Sequence, residues 1–64
     1  MPSIQALLQM LQDPDPSVRL QAIHALGESG SPMAVEALRR ILWDDRYIAT
    51  HAATLRALGR LGGE

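Results

Sequence analysis

The sequence predicts an all-α fold, an α-solenoid of four helices forming about two copies of one helix-pair unit. Three observations carry this. Proline and glycine punctuate the 64 residues at Pro2, Pro14, Pro16, Gly27, Gly30, Pro32 and Gly59 to Gly63, leaving helix-length segments between them. Those segments space their apolar residues at helical intervals, and none alternates as a strand would. The tripeptide Ala-Leu-Gly occurs at 25–27 and again at 57–59, thirty-two positions on. A period of that length with two helices per unit is a solenoid pattern, in which each unit buries its apolar face mainly against its neighbours.

The first helix is expected over 4–12. Ile4, Leu7, Leu8 and Leu11 fall at i, i+3, i+4 and i+7, Gln5, Gln9 and Gln12 line another face, and Ser3 offers an N-cap. The second, over 16–28, opens on Asp15-Pro16, a capping carboxylate followed by proline at the first helical position, and leaves through glycine. Ser31-Pro32 repeats that signal for a third helix over 32–43, carrying Val35, Leu38, Ile41 and Leu42. The fourth is expected over 47–61, with Ile48, Ala52, Leu55, Leu58 and Leu61 as its apolar stripe. Helix two maps onto helix four at an offset of 32, placing Ile23 on Leu55; helix one maps onto helix three at 31, placing Leu7 on Leu38 and Leu11 on Leu42.

Composition bounds the rest. The whole chain, 1–64, is one domain near the lower size limit for independent folding. It has no cysteine, so neither a disulfide nor a thiolate metal site can staple it. Aromatic residues make up only 3%, leaving an aliphatic core. The formal net charge is −1, so no strong field draws in nucleic acid or an anionic membrane. The stretch Met1 to Leu11 is too short and too amphipathic for a signal peptide or membrane span, so a cytoplasmic location is expected.

The run Asp13-Pro14-Asp15-Pro16-Ser17-Val18-Arg19, followed by Ala22, Ala25-Leu26-Gly27, Ala34, Ala37-Leu38 and Leu42, resembles the HEAT repeat. More narrowly it is similar to the short HEAT-like repeats of phycobilin lyases and prokaryotic scaffold proteins. The resemblance covers essentially the whole chain and implies a HEAT-like superhelix. It implies that Asp13 and Arg19, six positions apart, lock neighbouring units together. In the second copy Asp45 is followed six positions on by His51, which implies a weaker link there. Because the family's units run from an outer to an inner helix, the resemblance also implies one complete hairpin, 16–43, between two unpaired halves with exposed apolar surface. Self-association, two-fold or head to tail, follows as an expectation, and with it a homo-oligomer.

No chemistry competes with this reading. His24 and His51 occupy positions about 7.5 Å apart in helix rise with about 8–10 Å more between helix axes, so they are not expected to converge on a metal or a substrate. Asp13, Asp15, Asp44 and Asp45 lie in two different turns without the spacing of a calcium loop. Ser3, Ser17, Ser29 and Ser31 read as cap and turn residues. No catalytic residue, cofactor or metal is assigned, and the chain is expected not to be an enzyme. His24 and Glu28, with their equivalents Arg56 and Arg60, suggest a surface ladder that sets Glu28 beside Arg60.

The expected function is a protein-binding scaffold or self-associating module. Its candidate partner-binding residues are Gln5, Gln9, Glu36, Arg40 and Trp43, because the repeat register stacks Gln5 on Glu36, Gln9 on Arg40 and Gln12 on Trp43 along the inner face. Arg and Trp are enriched at binding hot spots. The competing reading sets Trp43 as a cap on the core beside Tyr47 and the glutamines as ordinary solvent-facing residues. One alternative function is an accessory module of a phycobilin-lyase-like enzyme. A weaker one is nucleic-acid binding through Arg39, Arg40 and Arg46, which Glu36, Asp44 and Asp45 offset.

Overall fold

Capping chemistry sets where each helix begins. In the computed structural model, which describes residues 2–62, α1 (Ile4–Met10) starts where the Ser3 hydroxyl accepts from the Ala6 N–H at 3.1 Å. Helix α2 (Pro16–Ser29) starts where Asp15 accepts from Ser17 N–H at 2.9 Å, and α3 (Pro32–Leu42) where Ser31 accepts from Met33 N–H at 3.1 Å. Each proline lies at the start of its helix, where a missing N–H costs nothing. Between α2 and α3 the chain turns at Gly30, in the left-handed region at φ 70°, while the Ser29 hydroxyl donates to Leu26 O and accepts from Ser31 N–H.

Two of the expected helices differ from their sequence spans. Helix α1 ends at Met10 rather than 12, its last turn tightening to Gln12 N–H on Gln9 O and Asp13 N–H on Met10 O before Pro14 stops it. The expected 47–61 helix is a 3-10 segment, Asp45–Thr50, followed by α4 (His51–Arg60), with a break at Tyr47 where φ is −110° and ψ is 19°. No strand occurs among the described residues.

The helices form two layers. Helices α1 and α3 lie side by side in one, α2 and α4 in the other, and α1 does not touch α4. Helix α2 is closer to α1 than to α3, and α3 is closer to α4, so the units are the hairpins α1–α2 and α3–α4. This replaces the expected 16–43 hairpin with unpaired halves. The repeat register allows both phasings, and the more extensive packing of α1 on α2 and of α3 on α4 decides between them.

One core runs between the layers, built from Leu7 and Leu11, Ala22, Ile23 and Leu26, Ala34, Leu38 and Ile41, and Tyr47, Ala53 and Ala57. Helix α4 enters it by a face other than the expected stripe. Its buried positions are Ala53, Thr54 and Ala57, while Leu55 is 50% exposed and Ile48 76%. The reason is a close approach. A Cβ built on Gly27 of α2 would stand 2.8 Å from Ala57 Cβ and 3.0 Å from its Cα, so the two backbones meet where both residues are small. The buried threonines carry their own partners: Thr54 Oγ1 donates to Thr50 O and Thr50 Oγ1 to Tyr47 O, each at 3.0 Å.

The units are joined by Arg19 and Tyr47. Arg19 Nη1 donates to the backbone oxygens of Asp13 at 2.8 Å and Pro14 at 3.1 Å, and Nη2 to Arg46 O in the second unit at 3.4 Å. Its guanidinium lies 5.3 Å from the centre of the Tyr47 ring, and the Tyr47 hydroxyl donates to Leu11 O at 2.7 Å in a buried bond. Arg19 therefore uses the carbonyl of Asp13. The Asp13 carboxylate accepts from Asp15 N–H at 2.8 Å and shapes the turn. His51, at the equivalent of Arg19, places Nδ1 3.0 Å from Leu42 O within its own unit. The ladder expected from the register is present, with Arg60 and Glu28 3.6 Å apart on an exposed surface.

Candidate interaction surface

Side chains with no part in the core mark where the chain can meet other molecules. On the α1–α3 layer, Gln5 and Gln9 are exposed on α1, and Glu36 and Arg40 are exposed one turn apart on α3, where they pair at 3.7 Å. A groove of about 300 Å³ runs between the two helices, walled by Leu8, Leu11 and Gln12 on one side and by Met33, Glu36 and Arg40 on the other. Met33 is 51% exposed. The groove has an apolar floor and charged groups on one rim. Of the five residues singled out in the sequence, Glu36 and Arg40 come together on it, while Gln5 and Gln9 stand on the neighbouring helix without lining it.

Trp43 lies elsewhere. It is 81% exposed and its ring sits 5.8 Å from that of His51, tilted by 50°. Tyr47, by contrast, is buried beneath the first unit. The reading that paired the two aromatics as a core cap is overturned, because Trp43 ends α3 while the break at Tyr47 turns the tyrosine inward. Trp43 lines a second hollow of about 250 Å³ with Leu42, Ile48 and His51, edged by Asp44 and Asp45. The Asp44 carboxyl is held below the usual carboxylate range, first by the Arg46 guanidinium that donates to it and then by the Arg46 N–H.

Sequence reasoning missed Met33, Ile48 and Leu55 as exposed apolar groups. A signal for the last two was present. Thr50, the N-cap of α4, and Ala53, Thr54 and Ala57 within it share one helix face, and small residues there permit the close approach that turns Ile48 and Leu55 outward.

The arrangement holds no assembled acid–base or metal chemistry among the described residues. His24 is exposed on α2, and no three of the His, Asp and Glu side chains gather into a metal-binding group. No described helix is long and apolar enough to cross a membrane. Neither the curated proteins nor the solved structures offer a match to the chain. A model of HEAT repeats matches residues 2–64. With two stacked antiparallel helix pairs and a family match over nearly every residue, the chain belongs to the HEAT repeat family.

Proposed function

We propose that the chain is a non-catalytic protein-interaction module that binds its partner along the α1–α3 layer, a role in keeping with the family, whose members generally bind other proteins. The observation that carries this reading is the groove between α1 and α3. It combines half-exposed Met33, which adapts its shape to what it meets, with Arg40, a residue type favoured at interface hot spots. Neither side chain is needed by the core. Gln5 and Gln9 extend the surface with neutral groups that accept burial without a charge penalty, and Trp43 adds a second exposed anchor at the far end of α3.

The test selects peptides from a displayed random library against the immobilised chain and maps them by amide chemical shifts. Selected peptides are expected to move the signals of Met33, Glu36 and Arg40. Arg40→Ala is expected to weaken them about tenfold, about 1.4 kcal/mol, with thermal unfolding unchanged. Peptides that map only to α2 or α4, or that ignore Arg40→Ala, overturn the reading.

A further inference from the structure

The repeat displays, inside one chain, what the outer face of α4 is shaped to receive. On α2, Gly27 faces α4 and nearly touches Ala57. Thirty-two positions on, Gly59 occupies the same place on α4 with nothing within 4 Å of where its Cβ would be. Ile23 is fully buried, whereas its equivalent Leu55 is half exposed. Ile48 and Trp43 extend this open apolar face toward the start of α4. The turn that follows is copied as well, with Gly30 at φ 70° and Gly62 at φ 80°.

We propose that this face binds a second copy of the chain head to tail, so that α4 of one copy receives α2 of the next as α2 receives α4 within the chain. The inference rests on reading the chain as an interaction module but uses a different face from the α1–α3 groove. Repeating the internal operation sets Gly59 against Ala25 of the second copy, the equivalent of Ala57. The incoming face of α2 suits close approach, with half-buried Val18 and Ala25 and the neutral Gln21. Charge agrees. Arg60, already 3.6 Å from Glu28 of its own chain, would meet Glu28 of the second copy on its other side. A two-fold pairing of α4 with α4 would instead oppose helices that carry Arg56 and Arg60 and no acid.

Such a contact does not close, so association proceeds to open rows rather than to a dimer. It is weaker than the stack inside the chain, because Asp15 and Pro16 stand where Tyr47 would have to donate its hydroxyl.

Sedimentation of the 64-residue chain from about 10 µM to about 1 mM, the range for an interface of one helix face, tests this. The average mass is expected to climb past that of a dimer without a plateau. Leu55→Glu, on the α4 face, and Gln21→Arg, on the α2 face, are each expected to remain monomeric. An equimolar mixture of the two is expected to form a 1:1 complex, since each keeps the face the other has lost. If Leu55→Glu shifts thermal unfolding, Gly59→Leu blocks the same face. A wild-type chain that stays monomeric overturns the proposal, as does a plateau at the dimer or an association indifferent to Gln21→Arg. A monomeric chain whose α1–α3 groove still binds selected peptides sinks this inference alone. Rows without groove binding sink only the reading of the groove.

Discussion

Helices α2 and α4 are two copies of one element set in different surroundings. Helix α2 has α1, α3, α4 and the 3-10 segment around it; among the described residues α4 has the 3-10 segment, α2 and α3, with no counterpart of α1. Equivalent residues part accordingly: Ile23 is buried and Leu55 half exposed, Gly27 is pressed against Ala57 and Gly59 stands open, Arg19 reaches into the other unit and His51 stays in its own. A residue's contribution in a repeat is thus set less by its identity than by whether a neighbouring unit covers it.

The sharpest way to break this comparison is to truncate the paired leucine-type positions. Ile23→Ala is expected to cost about 2–5 kcal/mol, enough to unfold a chain this small, whereas Leu55→Ala costs under about 1 kcal/mol in urea denaturation. Equal losses would mean that α4 is covered from both sides. The glycines come next and are expected to differ in sign. Gly27→Ala drives a methyl into Ala57, where only backbone could yield, and costs about 1–3 kcal/mol. Gly59→Ala adds a methyl to an open helix position and stabilises by up to about 1 kcal/mol, read as a higher thermal midpoint at concentrations where the chain is monomeric.

Smaller effects separate Arg19 from its equivalent His51. Arg19→Ala removes three backbone hydrogen bonds, one of them between units, and is expected to cost about 1–3 kcal/mol; His51→Ala loses one bond inside a unit and costs about 1 kcal/mol or less. The smallest effect is electrostatic. Asp44 is held below its unfolded value by Arg46, so its contribution is present above the usual carboxylate range and is lost as pH falls through the lowered midpoint. An NMR titration is expected to show Asp44 ionising below the ordinary carboxylate range, and Arg46→Ala is expected to bring it back toward that range.

Much of the fold was legible. Asp15-Pro16 and Ser31-Pro32 placed the starts of α2 and α3 to the residue, because a capping side chain before proline has few other uses. The Ala-Leu-Gly repeat located the Glu28–Arg60 pair, since the register carries one surface onto the next. The end of α1 and the break at Tyr47 were not legible, because both depend on how the turns pack. Of the candidate surface, exposure of Glu36 and Arg40 followed from helical spacing alone, whereas the separation of Trp43 from Tyr47 depended on a kink between them.

Local chemistry and periodicity by themselves determined that the chain is helical, where three helices begin and that the unit repeats, because caps, proline geometry and apolar spacing act within a few residues of their own position. Tertiary structure alone decided which helices pair into units and which face of α4 is buried. That face was chosen by the near contact of Gly27 with Ala57. Close packing of small residues brought the helices together there and turned Ile48 and Leu55 outward, a choice between two faces that apolar spacing cannot distinguish.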